Sequence, residues 1–377
     1  MRVALTLMGL ATATGALIFV ACSSFSGADA NGDPVIDAGS SDAISSDAIS
    51  SDAGSSDAVL DPCPAGLSTA EAAGLYVMGG QSTYNTSPGY SEPLDVLRAT
   101  IQCDGHLRDW KTQVRLPRSS VGGAGGLLGD NAFYLGGQHS TGGENFTLKV
   151  AYAPFAGGVL QKFFTATAMS PLPFWHAMYG SNGSSFFVAG GENYLSGGMN
   201  PQTMVTTWKI GDGGEPVISG NPPQLPMGLS RGAGVMVGDT MVVIAGHVYT
   251  AKATDATWRD TNVTYTQTDF TAATDGTSVF LVPGSSGNAA IASFAVKSGA
   301  ATAITDTGQP GPTLVNPAAV AFHGYLYIIG GLDDVGDGGS PPAINVYSAR
   351  INGSTLEPLM LEPQMPVGHA LAVAFVR

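Results

Sequence analysis

A short apolar run that ends in a pair of glycines returns along the chain, and no other feature constrains the fold as strongly. The first copy is LYVMGG at 75–80, and later copies include AFYLGG at 132–137 and YLYIIGG at 325–331. Self-similarity at a regular spacing indicates a repeat architecture in which each unit packs on its neighbours. The pairs, two of them degraded, begin at Gly79, Gly136, Gly190, Ala245, Pro283 and Gly330.

These positions predict six units, of which the fifth is the least regular. In VFLVPG at 279–284, Pro283-Gly284 stands where other units carry two glycines. Without that unit the count would be five. If the long stretch 247–324 held two units in place of one, the count would be seven.

Each unit has the sequence marks of a four-stranded antiparallel sheet. Two apolar runs flank a short Gly/Asn/Asp turn such as Gly129-Asp130-Asn131, which is typical of a β-hairpin. The glycine pair and a polar loop follow. TLKVAYAP at 147–154 then alternates like a third strand, and a further turn leads to a fourth.

This order of strands and glycines resembles the kelch repeat over residues 75–377, and DGHLRDW, ending at Trp110, matches that family's fourth-strand Trp. The resemblance implies an all-β, six-bladed β-propeller whose innermost strand comes first in each blade. The chain ends with GHALAVAFVR, a first strand without a second, and LYVMGG is a second strand without a first. We therefore predict that both ends of 63–377 share one blade and close the ring.

Composition agrees with a β-protein and excludes one class of partner. Charged residues make up only 12% of the chain, and glycine is abundant at 52 of 377 residues. The formal net charge is −14, and no Lys/Arg cluster is present to neutralise phosphates. We therefore expect no nucleic-acid partner, and we expect a monomer.

The first 62 residues predict export and a tether. Arg2 precedes an uncharged apolar stretch, and Phe19-Val20-Ala21-Cys22 resembles a bacterial lipobox. That resemblance implies a signal peptide at 1–21, lipid on Cys22, and the outer membrane as the location. A plain secretory signal or an uncleaved anchor remains open. The Ser/Asp/Ala repeat within 22–62 has almost nothing to bury and is typical of a disordered spacer.

Two cysteines remain once Cys22 is assigned to lipid. In an exported chain, Cys63 and Cys103 are candidates for a disulfide that ties the segment before the propeller to its first blade. Two unpaired thiols are the alternative. No CxxC, HExxH or HxH motif occurs, so we expect no metal and no cofactor.

Four basic side chains are the candidate ligand-binding residues. Arg118, His176, Arg231 and His369 each lie at or near the start of a predicted innermost strand, so they should gather at one mouth of the central channel. They could bind an anionic or sugar ligand, or they could only hydrogen-bond neighbouring loops. We identify no catalytic residue, because the innermost strands are nearly all small or apolar.

The sequence therefore predicts a binding module for an envelope protein or polysaccharide, with loops carried on a rigid scaffold. Two alternatives stay open. One is a sugar-modifying enzyme, since a periplasmic kelch-type propeller that epimerises sialic acid has similar architecture. The other is a purely structural envelope protein. Convergent charged groups at the channel mouth would favour an enzyme or a sugar-binding module, and a bland channel with exposed aromatic loops would favour a protein partner.

Overall fold

The computed structural model describes residues 73–82, 93–118, 120–138, 148–171, 174–193, 200–267, 269–284, 289–333 and 341–377. All regular elements in these ranges are β-strands, and none is a helix long and apolar enough to cross a membrane. The main sheets are six antiparallel blades around one centre.

The first three blades and one small ladder come from the first half of the described chain. Blade 1 contains β1 (Gly74–Met78), β2 (Asp95–Ile101) and β3 (Leu107–Arg115). Blade 2 contains β4 (Ala124–Leu128), β5 (Asn131–Leu135), β6 (Lys149–Ala156), β7 (Val159–Leu160) and β8 (Phe164–Met169). Blade 3 contains β9 (Met178–Ser181), β10 (Phe186–Ala189), β13 (Val205–Ile210) and β14 (Pro216–Ile218), and β11 (Glu192–Asn193) pairs with β12 (Asn200–Pro201) beside it.

The other three blades and the closing strand follow. Blade 4 contains β15 (Ala233–Val237), β16 (Thr240–Lys252) and β17 (Arg259–Tyr265). Blade 5 contains β18 (Thr271–Thr274), β19 (Ser278–Val282), β20 (Ala290–Lys297), β21 (Ala300–Ala301) and β22 (Thr305–Pro310). Blade 6 contains β24 (Ala318–Phe322), β25 (Tyr325–Ile329), β27 (Val346–Asn352), β28 (Thr355–Leu356) and β29 (Met360–Leu361), while β23 (Leu314–Val315) pairs with β26 (Leu332–Asp333) and β30 (Val373–Val376) ends the chain.

The innermost strands contact one another in a closed ring, in the order β30, β4, β9, β15, β18, β24 and back to β30. The predicted all-β, six-bladed propeller is thereby confirmed. The fifth unit is one blade, built around β19, so the alternatives of five or seven blades are excluded.

Apolar clusters between neighbouring blades form the core, and strand alternation explains them. In β1, Leu75 packs with Tyr327 of blade 6, and the next residue, Tyr76, packs with Tyr134 of blade 2. Successive side chains of a strand point to opposite faces, so one short run serves two interfaces. A second strand such as LYVM is therefore apolar throughout, because both of its faces are buried.

The last strand completes the first blade, as predicted from the two unpaired ends. β30 runs antiparallel to β1, with Leu75 opposite Val376 and Tyr76 opposite Phe375. The rings of Tyr76 and Phe375 stack with centroids 5.2 Å apart. Both free edges are thus paired, and the ring is held shut by backbone hydrogen bonds.

The DGHLRDW turn fastens blade 1 to blade 6 at this closure. The buried carboxylate of Glu362 lies 3.0 Å from His106 Nδ1 and accepts a 2.9 Å hydrogen bond from the Leu107 amide. Trp110 donates its indole N–H to the Pro363 carbonyl. The DGHLRDW segment is therefore an inter-blade contact.

Blade 4 has a long second strand that folds back on itself. A straight strand over β16 would span about 40 Å at the usual rise per residue. Yet Lys252 Nζ lies 2.9 Å from Asp239 Oδ2, so the two ends of β16 are adjacent. The reversal falls at exposed Gly246, whose φ is +73°. Only glycine adopts that angle without strain, and the two arms act as separate strands.

The glycine pairs join each of four blades to the next. Both glycines of these pairs have φ between +59° and +101°. The amide of the second glycine donates a hydrogen bond of 2.7–3.1 Å to a carbonyl on the loop that leads into the next blade. These bonds run from Gly80 to Ser120, Gly137 to Phe174, Gly191 to Leu229 and Gly331 to His369.

Removing residues 365–377 should destabilise the whole propeller, because β1 loses its partner strand and the ring opens. Burial of Val373 and Phe375 alone is worth about 4 kcal/mol. We expect an unfolding free energy lower by at least that amount in chemical denaturation. A synthetic 365–377 peptide added in trans should restore part of it. A truncated chain as stable as the full one would contradict the closure.

Gly190→Ala should destabilise the protein more than Gly157→Ala does. Both glycines have left-handed φ, +64° and +57°, so both variants carry the backbone strain of about 1–2 kcal/mol. A Cβ on Gly190 would lie only 2.3 Å from the Leu229 carbonyl oxygen, whereas one on Gly157 would meet nothing within 4 Å. Equal losses in thermal melts would show that close approach between blades 3 and 4 is unimportant.

Candidate functional site

Six residues in left-handed conformation ring one mouth of the central channel. Each lies two residues before an innermost strand, with φ between +52° and +66°. We call this set the mouth ring, and it consists of Gly122, His176, Arg231, Asp269, Asn316 and Leu371. Two neighbouring pairs are joined by backbone hydrogen bonds, from Arg231 N to His176 O at 3.2 Å and from Leu371 N to Asn316 O at 3.3 Å. The four polar members occupy consecutive blades 3 to 6.

The residue after a glycine pair lies beside the mouth ring. Gln81, Gln138 and Glu192 each form an antiparallel bridge with the residue just before a ring position. For Glu192 that partner is Trp175, through hydrogen bonds of 2.8 and 3.0 Å. The side chain that follows a glycine pair therefore lies at the channel mouth, and in blade 3 it is the carboxylate of Glu192.

Glu192 is the centre of the polar cluster between blades 3 and 4. Its side chain is only 5% exposed. Oε1 accepts hydrogen bonds from Arg231 Nε at 3.0 Å and from Ser230 Oγ at 2.9 Å. A buried carboxylate needs such donors, because burial without them destabilises the charged form. Arg231 is much more open, with 46% of its side chain exposed.

The second oxygen of this carboxylate faces His176. Glu192 Oε2 and His176 Nδ1 lie 3.8 Å apart, which is too long for a hydrogen bond. Both atoms are buried and lack a hydrogen-bond partner. Such groups are rare in folded proteins and mark strain, bound water or a functional site. The mouth therefore holds two adjacent polar atoms with unmet hydrogen-bonding capacity.

His176 is a neutral imidazole at physiological pH. Burial lowers its pKa from 6.5 to about 4, against the opposing effect of the Glu192 carboxylate. The charge of Arg231 lowers the pKa further, and that of Asp269 raises it. The carboxylate of Asp269, two blades away, is thus near enough for its charge to act on the imidazole.

Trp175 forms an aromatic wall beside the cluster. Its indole stacks on the His176 ring, with centroids 3.8 Å apart and planes 24° apart. It also lies over Gly122, where a Cβ would come within 2.4 Å of the indole. Glycine at this ring position therefore makes room for the indole, and Trp175 stays partly exposed.

The four sequence-predicted ligand residues separate into two kinds. His176 and Arg231 are members of the mouth ring and meet at Glu192. Arg118 is half-buried on the same loop as Gly122 but four residues before it. His369 is 1% exposed, its Nδ1 lies 2.9 Å from the Gly79 carbonyl oxygen, and burial lowers its pKa. His369 thus contacts the closure between blades 6 and 1 and is turned away from solvent.

The cysteine predictions rest largely on residues outside the described ranges. Cys22 and Cys63 both lie there. Cys103 occupies the exposed turn between β2 and β3. The Cys63–Cys103 disulfide and the lipid on Cys22 stay predictions.

Sequence reasoning missed Glu192, Asp269, Asn316, Ser230 and Trp175. A usable signal was present for the ring members. Each lies fourteen residues before the first residue of a pair, as the numbering of Gly122, His176, Arg231, Asp269 and Asn316 against Gly136, Gly190, Ala245, Pro283 and Gly330 shows. Counting back from the pairs would have replaced Arg118 by Gly122 and added Asp269.

Metal binding finds no support in the described part of the chain, where no three His, Cys, Asp or Glu side chains are grouped closely enough to hold an ion. The chemistry available at the mouth is hydrogen bonding, charge and an aromatic wall. It suits a small polar ligand.

His176 should remain unprotonated well below pH 6.5. Because the unfolded chain takes up this proton near pH 6.5 and the folded protein near pH 4, stability should fall as the pH drops through that window. We expect wild type to lose about 3 kcal/mol more than His176→Asn between pH 6.5 and 4. Imidazole titration by NMR checks this directly, and protonation of His176 at pH 6.5 would contradict the burial seen here.

Comparison with known proteins supports the fold alone. No protein-family model matches the chain, and no curated protein matches its sequence. Among solved structures, the chain is similar to one described as "Structure of YjhT", with a TM-score of 0.52 and 12% sequence identity. The similarity covers 69% of this chain and 88% of that chain. At this identity the two share a propeller architecture, and nothing about a ligand follows from it.

Proposed function

We propose that this propeller is a sugar-binding module of the cell envelope, and that the sugar binds at the mouth between blades 3 and 4. The observation that carries the proposal is the buried Glu192 carboxylate, whose Oε2 lacks a donor and faces His176. A site built to hydrogen-bond hydroxyl groups leaves such atoms unpaired until its ligand supplies the donors.

The surroundings of Glu192 suit a sugar. A sugar ring presents hydroxyl donors and acceptors on its rim and C–H groups on its faces. The mouth offers a carboxylate, a guanidinium and a neutral imidazole for the hydroxyl groups. Trp175 offers an aromatic wall for the apolar face. A few placed polar groups beside an aromatic side chain are typical of small-ligand sites.

A protein partner at the mouth is less well supported. Protein interfaces concentrate their binding energy in exposed aromatic and apolar anchors. Within the described ranges, the exposed large apolar side chains lie mainly on the outer strands, as Phe164, Met169 and Leu361 do. The mouth instead gathers charged and polar groups, which suit the hydroxyl groups of a sugar better than an apolar protein surface.

A sugar-modifying enzyme is the second candidate, and the Glu192–His176 pair is the observation that favours it. A neutral imidazole beside a carboxylate can accept and return a proton. Both residues flank the space in which a sugar would bind. Incubation with sugars of known configuration, followed by NMR, distinguishes the candidates, because an enzyme changes the sugar and a binding module does not.

The place of action is part of the proposal. We propose export by the signal peptide at 1–21 and anchoring through lipid on Cys22, with 22–62 as a tether. A disulfide between Cys63 and Cys103 would tie the start of the propeller to the β2–β3 turn. The mild charge of the body and its lack of a basic cluster support a partner other than nucleic acid.

Glu192→Gln should weaken sugar binding by at least about tenfold, because the amide loses the charge and one acceptor position. A glycan array with the full-length protein identifies the sugar, and titration calorimetry gives the affinities. Glu357→Gln, an exposed carboxylate on blade 6, is the matched control and should bind like wild type. Thermal melts establish that both variants are folded.

Two results would contradict the sugar-binding proposal. Absence of binding to every glycan, with a folded protein, would rule out the sugar-binding proposal. Binding that Glu192→Gln and His176→Asn both leave unchanged would place the site elsewhere on the propeller.

A further inference from the structure

We infer that the sugar held at the mouth carries a positively charged amino group, which donates hydrogen bonds to the Glu192–His176 pair while Asp269 supplies the attracting charge. This inference rests on the proposed function and narrows it to one chemical class, the amino sugars.

The charges at the mouth favour a cation. The described residues there contribute two carboxylates, Glu192 and Asp269, and one guanidinium, Arg231. The guanidinium is bonded to Glu192 through Nε and Oε1 at 3.0 Å, so its charge is already balanced. His176 adds no charge at neutral pH. One negative charge therefore remains in excess, and it repels uronic acids and attracts amines.

Asp269 is the source of that excess. Its side chain is partly exposed, and it has no hydrogen bond or ion pair with any described residue. It shares the mouth ring with His176 and Arg231, and its charge acts on the imidazole of His176. A carboxylate held at a channel mouth without a partner is a receptor for a cation.

The Glu192–His176 pair has the geometry for one nitrogen. Oε2 and Nδ1 are 3.8 Å apart. For a nitrogen placed about 2.9 Å from both, the angle Oε2···N···Nδ1 would be about 80°. Two N–H bonds of an ammonium group, separated by the tetrahedral angle, can point at these two acceptors with each hydrogen bond about 15° from linear. When the neutral imidazole carries its proton on Nε2, both atoms are acceptors, and a hydroxyl group with its single hydrogen satisfies only one of them.

Entry to this pair requires a side chain to move. Oε2 and Nδ1 are both closed to water. Arg231 contacts the other oxygen of the same carboxylate and is 46% exposed, whereas Glu192 is 5% exposed. Rotation of Arg231 toward solvent would uncover the carboxylate, and the incoming ammonium would replace its charge. An amino group keeps the charge of the carboxylate balanced in this exchange, whereas a neutral hydroxyl group does not, so the amino group is the favoured ligand.

The test compares three trisaccharides by titration calorimetry at pH 6 and low salt, using the full-length protein. They are the glucosamine trimer, its N-acetylated form and a galacturonate trimer. We expect the glucosamine trimer to bind at least about tenfold more tightly than the other two. Asp269→Asn should reduce that preference to less than about threefold. Asp212→Asn removes the same charge from an exposed turn on the opposite face and should leave the preference unchanged.

The outcomes separate the two proposals. Equal or tighter binding of the acetylated or uronate trimer would overturn the amino-group inference and leave sugar binding intact. Binding of none of the three, and of no other glycan, would overturn both. Ethanolamine bound as tightly as the glucosamine trimer would support the amino-group contact and contradict a sugar as its carrier. An unchanged preference in a folded Asp269→Asn variant would also overturn the inference.

Discussion

The hydrogen bond from the second glycine of a pair to the next blade is the interaction on which the propeller and its mouth both depend. It joins the end of one second strand to the loop that leads into the neighbouring first strand. The accepting carbonyl lies two residues before a mouth-ring position, as Leu229 does before Arg231. At four of the six junctions, the contact that holds two blades together therefore also fixes the position of a ring residue. A Cβ at the first glycine would lie 2.3 Å from that carbonyl oxygen for Gly190 and 2.0 Å for Gly330, and it would meet an aromatic ring for Gly79 and Gly136, which explains why the pair recurs.

The mouth is not symmetric, because two of the six glycine pairs are replaced by Ala245-Gly246 and Pro283-Gly284. In blades 1, 2, 3 and 6 a loop of many residues follows the glycines. In blade 4 that loop is reduced to the reversal at Gly246, and in blade 5 the loop after Gly284 is short. Blades 4 and 5 are also the ones that contribute Arg231 and Asp269 to the mouth ring. Blades 4 and 5 thus combine the shortest connections after the pair with the two charged ring residues, Arg231 and Asp269.

Much of the fold could be predicted because its determinants are local or periodic. Strand alternation, glycine pairs and hairpin turns are visible in single stretches of sequence. Even the closure could be inferred, because each chain end lacked the strand that the other supplied. The tight reversal within β16 was not predicted. Ala245-Gly246 marked the end of a second strand, but only the contact of Lys252 with Asp239 reveals that the chain folds back there with almost no loop.

The site was harder to predict because it lies between blades. His176 and Arg231 were found through their position near first strands. Glu192 instead follows a second strand, lies beside His176 of its own blade and reaches Arg231 across the blade 3–4 junction. His369 resembled them in sequence and yet lies buried, because its ring is used for a bond to the Gly79 carbonyl at the closure. Basic residues near the first strands therefore indicated the region of the site. Which side chains meet there depends on how loops of neighbouring blades pair, and the sequence does not show that.

Native-state hydrogen exchange tests the central claim, that bonds between blades build the mouth. The amides of Gly80, Gly137, Gly191 and Gly331 should exchange only through global unfolding, as slowly as the amides of the buried second strands. The turn glycines Gly157 and Gly158 serve as the fast reference within the same protein. Exchange of the four amides at the rate of those turns would contradict the account, because the mouth residues would then rest on loops that open independently.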